Sequence, residues 1–255
     1  MGQTGPKSRT LSISCNRALV LDGLHFARAA TLFPVERPFE LLEVVRLRER
    51  QPSRISWAVL FLKAYAIVAH EHAPLRQAYI RWPWPHLLES PQSVAMLAIN
   101  REYQGEDRLC WGRFEEPANQ PLQALQDRLD RYTSEPVELA FQRQVRLSRL
   151  PAWLRRTLLW WNLNFAGSKR AMRLGTFSLS TLAGHGALNR AHPTFLTSSL
   201  TYGPIDAAGR VTVTLLCDHH VLDGALAARA LGQLQDVMKG QIAAELQSNL
   251  VAKAA

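Results

Sequence analysis

The chain has 255 residues, enough to bury the core of one large domain or of two closely fused halves. Hydrophobic residues make up 47% of the chain and charged residues 20%, a composition that excludes a disordered protein and is typical of a globular one. The formal net charge is +9, but basicity alone is weak evidence for nucleic acid and the chain carries no recognisable nucleic-acid module. We therefore expect no nucleic acid among its partners.

The cysteines and the N-terminus indicate the cellular compartment. Cys15, Cys110 and Cys217 lie far apart, are odd in number and form no CxxC pair, which favours a reduced, intracellular protein. No segment has the apolar core of a signal peptide at the N-terminus or the roughly 18 apolar residues of a membrane span. We expect a cytoplasmic protein with a flexible N-terminus over residues 1–10 and a single domain over residues 11–255.

Helical and strand-like patterns alternate in the first half of the chain. They predict a helix over 17–32, a strand and then a helix broken by Pro38 over 33–51, a helix over 55–74, a hairpin turning near Gly105 over 93–110, and an amphipathic helix over 120–135. The helix over 55–74 has the clearest pattern, because Val59, Leu62, Ala66 and Ala69 share one face and Pro74 ends it.

The second half supplies most of the predicted strands. Strands are expected over 175–182, 193–203 and 211–217, with a turn over 206–210 and a final helix from about Gly224 to Leu246. Helices and strands interleave without a linker or an internal repeat. The predicted fold class is therefore α/β, one domain with a mixed sheet.

The basic charge is concentrated between Phe141 and Arg173, a stretch that contains no acidic residue. Its cations are Arg143, Arg146, Arg149, Arg155, Arg156, Lys169, Arg170 and Arg173. Such a block faces either solvent or something negative. Within it, "LPAWLRRTLLWWNLNF" places Leu154, Leu158, Trp161 and Phe165 at helical spacing. Two interpretations stay open: a helix packed on the domain with solvated arginines, or a helix over 150–165 that contacts a membrane surface or an anionic ligand.

The stretch "CDHHVLDGAL" places chemistry-bearing side chains at the end of a strand. Up to this point every second residue is apolar, Val211, Val213, Leu215 and Cys217, and the residues between them are Thr212, Thr214 and Leu216, which predicts a buried strand. In open α/β folds such strand ends place side chains in a crevice. His219 can take a proton near neutral pH. Asp223 follows four residues later, and Gly224 adds no side chain to bar a tight turn or a close ligand.

Other interpretations of this stretch compete. A zinc or iron site would need a third ligand at suitable spacing, and adjacent histidines in extended backbone point to different sides, so no metal is expected. In a purely structural interpretation, His219 is a satisfied histidine and Asp223 only caps the last helix. An HxxxDG string, however, is expected by chance only on the order of 0.01 times in a chain of this length.

"DHHVLDGALAARAL" resembles the HxxxDG signature of coenzyme A-dependent acyltransferases related to chloramphenicol acetyltransferase. It is most similar to the dihydrolipoamide acyltransferase cores of 2-oxoacid dehydrogenase complexes. "GTFSLSTLAGHG" is similar to a second motif of those cores and aligns Ser180 with their oxyanion-facing serine, while Thr181 and Ala183 depart from the motif. "ISWAVLFLKAYAIVAHEHAPL" further resembles a long helix of the same cores.

The resemblance implies a fold and a mechanism. The fold is a chloramphenicol acetyltransferase-like two-layer sandwich, a mixed sheet with helices packed on it. His219 acts as general base and Ser180 as oxyanion donor on an acyl group carried by coenzyme A. Asp223 fixes the loop through an arginine, for which Arg17 is the candidate, and Gly224 completes the motif. The resemblance also implies a homotrimer, or a multiple of trimers, with each active site between subunits, and the basic block could hold the coenzyme A phosphates.

The chain also departs from complete dihydrolipoamide acyltransferases. We find no lipoyl domain, no Pro/Ala-rich linker and no subunit-binding domain, and residues 141–173 differ from the family pattern. These departures favour a stand-alone acyltransferase with a small-molecule or lipid-like acceptor. The alternative is a non-catalytic trimeric scaffold or binding protein that keeps the fold.

Overall fold

The computed structural model describes residues 12–254, with side chains through Val251. The predicted flexible residues 1–10 lie outside this range. The helices are α1 (Cys15–Ala27), α2 (Leu42–Glu49), α3 (Trp57–Glu71), α4 (Leu122–Ser134), α5 (Val137–Ala140), α6 (Gln142–Ser148), α7 (Ala152–Asn164), α8 (Lys169–Leu174), α9 (Gly224–Val237) and α10 (Ala243–Ala254). The strands are β1 (Leu32–Glu40), β2 (Gln77–Ile80), β3 (His86–Glu89), β4 (Val94–Tyr103), β5 (Glu106–Glu115), β6 (Phe177–Leu179), β7 (Ser198–Tyr202) and β8 (Arg210–Asp218).

Six strands form one mixed sheet in the order β1-β8-β7-β6-β4-β5. The β6 strand runs parallel to both of its neighbours, whereas the β1–β8, β7–β8 and β4–β5 pairs are antiparallel. The predicted α/β class with a mixed sheet is therefore confirmed. Strands β2 and β3 pair separately. The sequence patterns missed them because each has only four residues and a Trp-Pro-Trp-Pro stretch separates them.

The hydrophobic core lies between the sheet and two helices, α3 and α9. Helix α3 is buried on nearly all sides, well beyond the single predicted stripe. Its Phe61 ring stacks on Tyr202 of β7 at a centroid distance of 4.4 Å. The Tyr65 hydroxyl donates a hydrogen bond of 2.8 Å to Ser198 Oγ. These contacts fix α3 against the middle of the sheet, because large aromatic side chains supply much of the packing energy of a core.

The predicted helix break at Pro38 is wrong. Pro38 lies inside β1, nine residues of continuous strand that pair with β8. Strand β1 is at the edge of the sheet, so a residue without a backbone N–H leaves no neighbouring strand unpaired. Pro34 occupies the same strand four residues earlier. Helix α2 begins after Leu41, beyond both prolines.

The remaining predictions differ only in their ends. The hairpin of β4 and β5 turns at Gln104 and Gly105, whose φ angles of 56° and 76° suit a two-residue turn of a twisted hairpin. The last helix runs on through a π-helical stretch, Met238–Ile242, into α10. At the opposite sheet edge, Gln144 of α6 bonds to both the N–H and the carbonyl of Trp111, and this covers the exposed edge of β5.

Candidate active site

The turn after β8 joins the sheet to α9 and contains the HxxxDG residues. Strand β8 ends at Asp218, and α9 begins at Gly224. The backbone N–H of His219 donates to the Thr31 carbonyl at 2.9 Å, which ties the turn to the residue before β1. The turn therefore extends from the buried sheet and is held by the neighbouring edge strand.

Asp218 holds this turn in shape. Its Oδ1 atom accepts hydrogen bonds from Thr31 N at 3.3 Å and from His220 N at 3.2 Å, and it lies 2.7 Å from His220 Nδ1. Its carbonyl accepts from the backbone N–H groups of Val221 and Leu222. The ring of His220 also stacks on Tyr79 at 4.7 Å. The motif patterns did not single out Asp218, although an aspartate directly before two histidines at a strand end indicates a residue that can hold the turn.

His219 is held with one ring nitrogen free. Its Nδ1 lies 3.1 Å from the carbonyl oxygen of Leu222. A carbonyl only accepts hydrogen bonds, so in the neutral imidazole Nδ1 carries the proton and Nε2 keeps its lone pair. The ring packs against Phe33 at a centroid distance of 4.9 Å, and 56% of the side chain is exposed. In this tautomer His219 can accept a proton at Nε2.

Within one protomer, the turn receives few contacts from the other predicted site residues, Asp223, Gly224 and Arg17. The Asp223 side chain is 86% exposed, makes no helix-capping bond, and has Oδ1 3.6 Å from His219 Nδ1. Arg17 is an exposed residue of α1, and within the described residues it forms no ion pair with Asp223. A Cβ atom at Gly224 would meet nothing within 4 Å. In one protomer, Asp218 rather than Asp223 anchors the turn.

Ser180 lies directly after β6. Its backbone N–H donates to the Leu200 carbonyl at 3.0 Å, and within the described residues its half-buried Oγ makes no hydrogen bond. The next residue, Thr181, bonds through Oγ1 to the Tyr202 carbonyl at 2.8 Å and to Ala183 N at 3.0 Å. The threonine that departs from the family motif thus shapes the loop, and the serine hydroxyl is free to donate.

The strand register separates Ser180 from His219 both along the strand direction and across the sheet. Ser198 of β7 pairs with both Phe177 of β6 and Cys217 of β8, so β6 begins where β8 ends. His219 follows the end of β8 and Ser180 follows the end of β6. At about 3.3 Å per residue and 4.8 Å per strand, the two residues lie on the order of 15–20 Å apart. One protomer does not bring them together.

The loop from Ser180 to Thr197 contacts strand β7 through His192. His192 in this loop places Nε2 2.9 Å from Ser199 Oγ, and Asn189 Nδ2 lies 3.3 Å from His192 Nδ1. Burial lowers the pKa of His192, because charging a buried imidazole loses hydration.

Burial raises the pKa of the Cys217 thiol, two residues before His219, to about 12, with a smaller contribution from Asp218. This thiol stays protonated and is no nucleophile near neutral pH.

The residues of the basic segment, 141–173, differ in their burial and in their partners. Arg155 and Arg156 of α7 both contact the buried carboxylate of Asp22, at 2.6 and 3.2 Å, so these two arginines are not simply solvated. Helix α7 nevertheless buries none of its residues, and Trp153 and Trp161 are 70% and 55% exposed. Arg170 of α8 is buried. Over the described part of the chain, no helix has both the length and the apolarity to cross a bilayer.

Solved structures of acyltransferase cores share this fold. The cubic core of a pyruvate dehydrogenase multienzyme complex is 16% identical, with a TM-score of 0.66, and the match covers 96% of each chain. A dihydrolipoamide acetyltransferase of Azotobacter vinelandii, studied for the roles of a serine, a histidine and an asparagine, is 17% identical, with a TM-score of 0.66 and 96% of each chain covered. Chloramphenicol acetyltransferase is 12% identical, with a TM-score of 0.50, covering 89% of this chain and 98% of the enzyme.

Comparison by sequence finds no such likeness. No protein-family model and no curated protein matches the chain. The structural likeness therefore rests on the arrangement of helices and strands. The protein has the chloramphenicol acetyltransferase-like fold of 2-oxoacid dehydrogenase acyltransferase cores, as its HxxxDG and GTFSLSTL stretches predicted.

Proposed function

We propose that this chain, which has the fold of acyltransferase catalytic cores, is an acyltransferase. It transfers an acyl group from acyl-coenzyme A to a hydroxyl, amine or thiol. The observation that carries the proposal is the fixed tautomer of His219, which leaves Nε2 as a base at a sheet end. The spacing supports it as well. The histidine and asparagine studied in the Azotobacter enzyme are four positions apart, as His219 and Asp223 are.

The chemistry needs one base and one oxyanion donor. His219 Nε2 removes the proton from the acceptor, whose heteroatom attacks the thioester carbonyl carbon. The tetrahedral oxyanion accepts a hydrogen bond from the Ser180 hydroxyl. As the intermediate collapses, the carbon–sulfur bond breaks and the thiolate of coenzyme A takes the proton back from His219. The products are the acylated acceptor and free coenzyme A, and the imidazole is neutral again.

The active site is proposed to be shared between copies of the chain. Within one copy His219 and Ser180 lie on the order of 15–20 Å apart, so a complete site needs His219 of one copy to face Ser180 of another. A ring such as the expected homotrimer repeats the same contact at every interface and gives each copy one complete site. The exposure of His219 in the protomer is consistent with cover by a second copy, which would exclude water from the reacting thioester.

Thiol release tests the activity. Purified protein is incubated with acetyl- and longer acyl-coenzyme A and a panel of alcohol, amine and thiol acceptors, and free coenzyme A is measured with a thiol reagent. We expect the wild type and a His70→Ala control, altered on the exposed end of α3, to release thiol, and His219→Ala to lose most of this activity. Equal slow release by all three proteins would leave the scaffold alternative.

The acceptor is proposed to be an apolar small molecule or lipid. The support is α7, which exposes Trp153 and Trp161 beside the basic segment. For the location, we propose a cytoplasmic protein that contacts the membrane surface through residues 150–165. Flotation with anionic vesicles tests it: Trp153→Ala together with Trp161→Ala should reduce co-flotation, and co-flotation equal to that of the wild type would refute the contact.

A further inference from the structure

Arg170 is a buried cation without a protein acceptor. It lies in α8, inside the basic segment, and only 6% of the residue is exposed. Its Nε is fully buried, and within the described residues the guanidinium has no hydrogen-bond or ion-pair partner. Burying an unpaired charge is costly, so a buried guanidinium is normally matched by an anion. Burial lowers the pKa of Arg170 to about 10, which leaves it protonated near neutral pH.

The guanidinium borders a cavity between α8 and the β2–β3 hairpin. Its lining combines apolar residues such as Ala78 and Leu88 with polar ones, among them Arg76, Glu89, Ser168 and Arg170. The cavity is small: the centre of a water-sized sphere can occupy about 20 Å³ of it. It opens to solvent. One water needs about 10–15 Å³ on this measure, so the cavity has room for one or two oxygen atoms of a group that enters from outside.

The charges already present leave the cavity positive. Arg76 donates to the Ser90 and Ala69 carbonyls and lies 3.5 Å from Glu89 Oε1. The other oxygen of Glu89 accepts from Gln77 Nε2 at 3.0 Å. The one carboxylate in the lining is thus committed to Arg76 and Gln77, and the charge of Arg170 stays uncompensated. The Thr176 and Ser90 hydroxyls already donate to backbone carbonyls, so Arg170 and the Ser168 hydroxyl are the donors left for a ligand. A positive, partly enclosed cavity with such donors is suited to an oxyanion.

We propose that this cavity binds the anionic oxygens of a carboxylate or a phosphate, with Arg170 as the principal cation. The site stands on its own geometry and does not depend on acyl transfer. It lies at the His219 end of the sheet, because Thr176 directly precedes β6 and Thr197 Oγ1 bonds to the Gln77 carbonyl at 2.5 Å. Two strand spacings, about 10 Å, separate Thr176 from the end of β8.

Thermal unfolding in defined salts tests the site. Sodium acetate and sodium phosphate are compared with sodium chloride at equal ionic strength and pH. An acetate or phosphate ion that binds only the folded state should raise the Tm of the wild type by at least about 2–4 °C. Arg170→Gln should abolish this rise, while Arg173→Gln, which removes an exposed charge from the same helix, should keep it. A rise in acetate alone assigns the site to carboxylates, and a rise in phosphate alone assigns it to phosphates.

Two further variants keep the test decisive. Glu89→Gln removes the competing carboxylate and should enlarge the rise in Tm, even if Arg170→Gln folds poorly. His219→Ala should keep the rise, so loss of acyl transfer and loss of anion binding are distinguishable. The proposal is overturned if the wild type gains no more in acetate or phosphate than in chloride, or if Arg170→Gln gains as much as the wild type.

Discussion

The turn from Asp218 to Asp223 and the loop from Ser180 to Thr197 both follow a strand of the same sheet, yet they are held in different ways. A buried carboxylate, Asp218, collects the backbone and side-chain donors of the turn. In the loop a half-buried imidazole, His192, bonds to Ser199. The turn therefore presents an oriented base, whereas the loop presents a serine hydroxyl that makes no hydrogen bond within the described residues.

Mixing two inactive variants should give the largest effect. His219→Ala and Ser180→Ala are each expected to lose about 10²-fold or more in rate. If each site joins His219 of one copy to Ser180 of another, co-refolding equal amounts should restore about a quarter of wild-type activity. Thiol release before and after co-refolding measures this. A mixture as inactive as its components would refute the shared site.

Ser180→Ala alone should separate catalysis from binding. The hydroxyl is expected to bond mainly to the oxyanion, so kcat should fall about 10²- to 10³-fold while the Kd for coenzyme A changes little. Steady-state kinetics and calorimetric titration with coenzyme A supply the two values. Thr181→Ala, which breaks the bond to Tyr202, serves as the comparison for a change in loop shape. Parallel losses of kcat and affinity would contradict the role of Ser180.

Asp218→Ala should test the anchor of the turn. The substitution leaves Thr31 N and His220 N without their acceptor, so we expect the free energy of unfolding to fall by about 1–3 kcal/mol. Urea unfolding measures this change. Asp223→Ala should change the stability by less than about 0.5 kcal/mol, because the Asp223 side chain is 86% exposed. Equal losses would show that the turn needs both carboxylates.

The loop should respond to acid through His192. Burial depresses the folded-state pKa of His192, so the neutral form is favoured by folding. The stabilisation is complete above the pKa of the unfolded state, about 6.5, and is lost as the pH falls below that value. His192→Asn should therefore flatten the decline in Tm on the acid side. A decline as steep as that of the wild type would place its origin elsewhere.

Local patterns were sufficient to predict most elements. The spacing of Val59, Leu62, Ala66 and Ala69 predicted α3, and the alternation from Val211 to Cys217 predicted β8; both are confirmed. The break at Pro38 failed because proline is tolerated on an edge strand, and edge position depends on strand order. The roles of His219 and Ser180 stay predictions. The bond between Thr31 and Asp218 could not be predicted, because the two residues are 187 positions apart in sequence.

Local sequence is enough to show which residue types end each strand and whether a segment has a helical or a strand period, because these properties depend on neighbours a few residues apart. The distance between the ends of β6 and β8, the exposure of α7 and the burial of Arg170 without a partner among the described residues depend on the packing of the whole fold. The physical reason is that strand order, strand direction and burial arise from contacts between distant segments, which no local pattern encodes.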